Sequence, residues 1–135
     1  MPEKKTLERA RQAKREGKSP STQASEFVHE EIEHIREGKH GARSTKQAIA
    51  IGLSKARRAG VKLEPPRKGQ ASERTRKSAA QDTAKGQRGG SRKTSAKRSR
   101  ASLRRLKREP HQAASHEALS KQARTAAAAR KRARA

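Results

Sequence analysis

The sequence predicts a mostly α-helical protein: a small helical hairpin over about residues 20–37 and 44–59, preceded by a marginal helix and followed by a long disordered basic tail. Three observations carry that expectation. In Ser44–Gly60 a helix start, an apolar stripe and a helix stop all agree. Ser19-Pro20 upstream and Gly38 after it bracket a second helix of similar length. Composition limits the rest: of 135 residues, 28% are hydrophobic, 1% aromatic and 37% charged, so most of the chain cannot bury enough apolar area to offset its ordering entropy.

Residues 1–18 contain the first element. Thr6 is the expected start and Gly17 the stop, but only Leu7, Ala10 and Ala13 offer an apolar stripe. A helix this short, with so narrow a face, falls below the roughly 12 to 15 residues that isolated helices need in water. It is expected to form in part, or on a partner.

The hairpin domain is assigned to residues 19–66. Ser19 caps a helix whose first-turn residue is Pro20, where a missing N–H costs nothing. Ala24, Phe27, Val28, Ile32 and Ile35 share one face, and Glu26, Glu30, Glu31 and Glu33 lie elsewhere. Gly38-Lys39-His40-Gly41-Ala42-Arg43 is a turn of suitable length between neighbouring helices. In the second helix Ser44 can accept the Gln47 N–H while the Gln47 side chain returns to the Ser44 N–H, a capping box. Gly60 can adopt the left-handed conformation that ends a helix. Between them Ala48, Ile49, Ile51, Gly52, Leu53, Ala56 and Ala59 recur at helical spacing, with Lys46, Lys55, Arg57 and Arg58 mostly off that stripe. Gly52 costs about 1 kcal/mol relative to Ala in a helix interior, so it marks either a close helix approach or a local weakness. Two helices enclose few side chains completely, and the hairpin alone is expected to be marginal or to self-associate into a homo-oligomer. Glu64-Pro65-Pro66 closes the domain.

The run Lys46-Gln47-Ala48-Ile49-Ala50-Ile51-Gly52-Leu53-Ser54-Lys55-Ala56-Arg57-Arg58-Ala59-Gly60, with Glu26-Phe27 and Glu37-Gly38-Lys39 upstream, resembles a family of small basic bacterial proteins known only as a domain of unknown function. Its pattern is H-E-F-K-x-G, a short basic loop, then R-K-Q-A-I-A-I-A-L-S-x-A-R-x-A-G. Positions 43 to 60 match closely, with Gly52 where Ala is usual and Ser44-Thr45 where a single residue often precedes the Lys. The upstream half matches loosely, since Val28-His29-Glu30-Glu31 replaces the compact motif. The resemblance covers about residues 24–63 and implies no activity.

Residues 67–135 are the expected tail. With 22 basic and 4 acidic residues its net charge is +18, against +6 for residues 1–66, which hold 15 and 9. Residues 67–101 show no periodic apolar face and are assigned no structure. Residues 102–109 can form a basic helical turn before Pro110. The Ala-rich segment 115–134, with Ser115 as cap and Glu117 in its first turn, can form a helix. Helices beyond residue 66 are expected to make few contacts with residues 20–63.

A formal net charge of +24 attracts polyanions. Four runs in the tail, Arg92-Lys93, Lys97-Arg98-Ser99-Arg100, Arg104-Arg105-Leu106-Lys107-Arg108 and Arg130-Lys131-Arg132-Ala133-Arg134, exceed what solubility needs. The nucleic-acid-binding set read from the sequence is these basic residues with Arg43, Lys46, Lys55, Arg57 and Arg58. Phe27 is the sole aromatic side chain, so no platform stacks bases, and phosphates are the expected target. The first reading is therefore a nucleoid-type, histone-like DNA-binding protein that ignores sequence, with DNA preferred over RNA. The alternatives are a protein-interaction module docking through the hairpin and an RNA- or ribosome-associated basic protein.

Other classes find little support. Cys is absent, which removes thiolate chemistry. No nucleophilic triad or phosphate loop occurs, and neither catalytic residues nor a small-molecule substrate or cofactor is expected. His29 and His34, five residues apart, point to different sides of a helix, so the Glu-rich stretch reads as a solvated face and no metal site is assigned. No apolar run approaches the roughly 20 residues of a membrane span, and Met1–Gly17 lacks a secretory apolar core, so a cytoplasmic location at the nucleoid is expected, without membrane contact.

Overall fold

The computed structural model describes residues 2–88 and 96–134. Six α-helices form among them: α1 (Lys4–Arg15), α2 (Pro20–Arg36), α3 (Thr45–Arg58), α4 (Glu73–Gln87), α5 (Ala96–Lys107) and α6 (His116–Arg134). A 3-10 turn, Gln112–Ala114, precedes α6. No strand forms among the described residues, where β-pairing is limited to an isolated bridge between Lys68 and Ala71. The chain divides into two compact units, Met1–Glu30 with Ala50–Lys93, and Glu31–Ile49 with Thr94–Ala135.

The three expected glycine stops share one geometry. At Gly60, φ is +106°, the Val61 N–H donates to Ala56 and the Gly60 N–H to Arg57, both at 3.1 Å, which is the Schellman pair of bonds. Gly17 and Gly38 repeat it after α1 and α2, with φ of +75° and +78°. The starts follow the sequence in part. Ser19 Oγ accepts the Thr22 N–H at 3.3 Å, and Ser44 Oγ accepts the Gln47 N–H at 3.2 Å. The return arm of the capping box differs: Gln47 Oε1 takes the Arg43 N–H, at 2.5 Å, in place of that of Ser44.

In the first unit Ala10, Ala24, Phe27, Ala56 and Val61 form a buried cluster against which Leu7, Leu53 and Leu63 pack. The partner that the short α1 needs is thus its own chain. α1 begins at Lys4, before the expected Thr6, because Thr6 is buried and its hydroxyl donates to Glu30 Oε1 at 3.1 Å. The same carboxylate oxygen accepts the Glu3 N–H at 2.6 Å, so a residue of α2 supplies the missing cap of α1. Gly52 marks a close helix approach, since a Cβ there would overlap the Val28 backbone.

The largest departure is α4, where the sequence assigns no structure. Ser72 caps it by accepting the Thr75 N–H at 3.2 Å, and Glu73 sits in its first turn. Its inner face is made of small residues: Ala79 is buried, Thr83 Oγ1 donates to the Leu63 carbonyl at 3.2 Å, and a Cβ at Gly86 would overlap the Arg57 carbonyl. Ser54 Oγ donates to Asp82 Oδ2 at 2.6 Å and Gln87 Nε2 to the Gly60 carbonyl at 3.0 Å. Polar bonds and close backbone approach hold this helix, and neither leaves an apolar period. The expected lack of contact between the 67–135 segment and the 20–63 segment is therefore corrected.

The second unit repeats that lesson. Ile32, Ile35, Ala42, Ala48, Ala113 and Ala114 are buried. The 38–43 turn is bound to the end of α5: the Gly41 N–H donates to Leu106 at 2.8 Å and the Ala42 N–H to Pro110 at 3.0 Å. Arg36 Nε donates to the Ala114 carbonyl at 3.0 Å and Thr45 Oγ1 to that of Ala113 at 2.7 Å. α5 starts at Ala96, upstream of the expected turn at 102–109. The helix expected at 115–134 is present as α6, with Ser115 Oγ accepting the Ala118 N–H at 3.1 Å.

Candidate nucleic-acid interface

α5 reads Ala-Lys-Arg-Ser-Arg-Ala-Ser-Leu-Arg-Arg-Leu-Lys and contains no acidic residue. Lys97, Arg98, Arg100, Arg104, Arg105 and Lys107 are all exposed, as is Arg108 just beyond its end. At 3.6 residues per turn these cations fall within about half of the helix circumference, and Ser99, Ser102, Leu103 and Leu106 occupy the other half. The helix is about 18 Å long, so its basic face presents a cation roughly every 3 Å along the axis. The sequence predicts a basic helical turn only at 102–109; the longer α5 gathers the charge of residues 97–108 onto one side.

In α6, Arg130, Lys131, Arg132 and Arg134 are exposed around the last turns, and Glu117 is the sole acidic residue of the helix. Cations at a helix C-terminus oppose the partial negative charge of the free carbonyls, which favours this placement locally. Lys121 and Arg124, absent from the sequence-derived set, are exposed on the same helix. Each stands alone in the sequence, outside any run of charge, and the helix brings both to one side. Arg92 and Lys93 lie outside the described residues.

The cations of the 43–58 stretch separate. Arg43 and Lys46 are exposed and Lys55 is half-buried. Arg58 is exposed, with Asp82 at 3.9 Å in a contact worth little in water. Arg57 is 7% exposed and does not belong to a surface. Its Nη2 donates to the Glu64 carbonyl at 2.9 Å and its Nε to that of Leu63 at 3.4 Å, so it tethers the chain that leaves α3. Burial pushes the Arg57 guanidinium below its ordinary pKa, with nearby Asp82 opposing the shift. Sequence could not separate Arg57 from Arg58, because both fall beside the apolar stripe and only the return of residues 61–64 decides which is covered.

The acidic part of α2 also differs from the expected solvated face. Glu30 is 6% exposed and is held by Thr6 and the Glu3 N–H, while Glu31 is fully buried against His40, nine residues on. The depression lined by Lys5, Glu8, Arg9, Gln12 and Arg15 is made of exposed side chains along one face of α1 and is widely open to solvent.

With this geometry in place, the comparisons bear on one part of the chain. Residues 11–68 match a family of unknown function, DUF6496. The DUF6496-like segment holds the end of α1 and all of α2 and α3, and with them Arg43, Lys46, Lys55, Arg57 and Arg58. α5 and α6, with twelve exposed cations between them, lie outside it. No curated protein and no solved structure gives a significant match to the chain. No helix among the described residues is long and apolar enough to cross a membrane.

Proposed function

We propose that this protein binds nucleic acid through its phosphates, in the manner of a nucleoid-type, histone-like protein, without reading base sequence. The observation that carries the proposal is α5: six exposed cations, no acidic residue and a basic half-surface. Duplex DNA carries one negative charge per about 1.7 Å of axis, so a rod with cations along one side gains on neutralisation by releasing condensed counterions. The major groove, about 12 Å wide, admits an α-helix, and phosphate contacts along its walls carry no sequence information. Absence of an exposed aromatic side chain disfavours base stacking and hence single-stranded partners.

The experiment is a salt titration of binding to two unrelated duplexes of equal length, with the full chain and with a variant in which Lys97, Arg98, Arg100, Arg104, Arg105 and Lys107 are all Gln. Each neutralised phosphate contributes about 0.9 to the slope of log K against log salt, so the variant should lose about 3 to 5 from it. Both duplexes should bind alike. An unchanged slope, or strong preference for one duplex, would move the interface elsewhere.

A further inference from the structure

His40 follows the Gly38 turn and comes back onto α2. Glu31 and His34, three residues apart on α2, share a face of that helix, and the turn places His40 on the same carboxylate. His40 Nε2 lies 3.1 Å from Glu31 Oε2, and His34 Nδ1 lies 3.9 Å from Glu31 Oε1. The two imidazoles are nearly perpendicular, at 82°, with ring centres 6.4 Å apart. One ligating atom from each of the three residues lies within 4.8 Å of the other two. Glu31 is fully buried and His40 is 6% exposed, while 14% of the His34 side chain reaches solvent.

His40 Nδ1 is 2.8 Å from the Gly41 carbonyl oxygen, which can only accept, so Nδ1 carries a proton. A neutral ring would then direct the Nε2 lone pair at a carboxylate oxygen 3.1 Å away in a buried setting. Two acceptors at that distance require a positive species between them: a second proton or a metal ion. Imidazole nitrogen and carboxylate oxygen each bond a d-block cation at about 2.1 Å, and two such atoms at near-octahedral to tetrahedral angles are separated by roughly 3.0 to 3.4 Å. The Glu31–His40 edge has that length already. A backbone carbonyl holding the far ring nitrogen is also the usual outer support of a metal-bound histidine.

We propose that Glu31, His34 and His40 bind a single divalent d-block cation of the Zn²⁺ type. The two-imidazole, one-carboxylate set selects Zn²⁺, Co²⁺, Ni²⁺ or Cu²⁺ over Mg²⁺ and Ca²⁺, which require mostly oxygen ligands. A chain of net charge +24 repels cations at long range, so the affinity comes from direct ligation. Solvent reaches the site along the His34 edge, where 14% of that side chain is exposed. The bound ion would fix the 38–43 turn, whose Gly41 and Ala42 N–H groups hold the carbonyls of Leu106 and Pro110 at the end of α5. In the sequence His34 stands five residues from His29, on another side of the helix, and His40 joins only once Gly38 reverses the chain.

The full chain, stripped of metal with a chelator, is titrated with Co²⁺ and followed by visible d–d absorption. One Co²⁺ per chain in a low-symmetry N/O environment is expected, displaced by Zn²⁺ and not by Mg²⁺. His34→Ala, the least buried of the three positions, should weaken binding at least about tenfold, and Glu31→Gln likewise. A triple variant at His29, His111 and His116 should bind as the parent does. Because Glu31→Gln can disturb folding, nitrogen NMR of the His40 ring in the unmodified chain gives an independent reading: Zn²⁺ should shift Nε2 and leave Nδ1 protonated. Unchanged Co²⁺ affinity in His34→Ala would overturn the site. So would a His40 ring protonated on both nitrogens and unmoved by Zn²⁺, which identifies a buried ion pair instead.

Discussion

Gly52 illustrates how one position can override propensity. Replacing it with Ala would improve intrinsic helicity by about 1 kcal/mol. The added Cβ, however, would sit on the Val28 Cα and backbone nitrogen, atoms that cannot rotate away. Overpacking of this kind costs about 1 to 3 kcal/mol, so Gly52→Ala should lower the midpoint of chemical denaturation despite the better helix former. A raised midpoint would show that α2 and α3 are not in close contact there. Arg57 and Arg58 make a paired test. Arg57→Ala removes two tethers to the 63–64 carbonyls and should destabilise by about 1 to 3 kcal/mol while leaving the salt slope of DNA binding nearly intact. Arg58→Ala should change stability by less than about 0.5 kcal/mol, as for most exposed positions.

Among the elements, α4 is the most informative, because its docking uses Ala79, Thr83 and Gly86 where most helices use Leu or Ile. Small residues allow a backbone-to-backbone approach but bury little apolar area, so the element depends on fit. Gly86→Val should lift α4 from the Arg57 carbonyl and accelerate amide exchange over residues 73–87, with the α2 and α3 amides less affected. Exchange that stays slow throughout 73–87 would rule out this mode of attachment. The Phe27 side chain, fully buried at the centre of the cluster with Ala24 and Ala56, is the opposite case. Phe27→Ala should cost about 3 to 5 kcal/mol and abolish cooperative thermal unfolding.

Considered as a whole molecule, the charge is distributed differently in space and in sequence. Divided at residue 66 the chain carries +6 and +18, but the two compact units hold 20 basic with 8 acidic and 17 basic with 5 acidic residues, a net of +12 each. Truncation after Pro66 would therefore dismantle both units by removing α4 from one and α5 and α6 from the other. It should lose helicity in residues 20–58 as well as DNA affinity, which circular dichroism of the truncated chain would reveal. Substitution of exposed side chains is the cleaner probe. In the intact chain roughly 8 to 12 engaged cations imply a fall of several decades in affinity between about 50 and 200 mM salt. A shallow dependence would reject phosphate neutralisation as the source of binding.

The sequence by itself determined what is local. The Ser19 and Ser44 starts, the Gly17, Gly38 and Gly60 stops and the α6 cap at Ser115 depend on bonds within one helical turn, so residue identity at each position suffices. The apolar stripe of α2 was equally legible through Phe27, Ile32 and Ile35, because burial of large side chains at 3.6 spacing leaves a periodic trace. Only the tertiary structure decided the rest. It turned Glu30 into a cap for α1, Arg57 into an internal tether, the 73–87 segment into a docked helix, and Glu31, His34 and His40 into one cluster. Each of these rests on a polar group meeting a partner distant in sequence or on the absence of a side chain where two backbones meet. Such contacts depend on where the chain returns in space, and local composition carries no record of it.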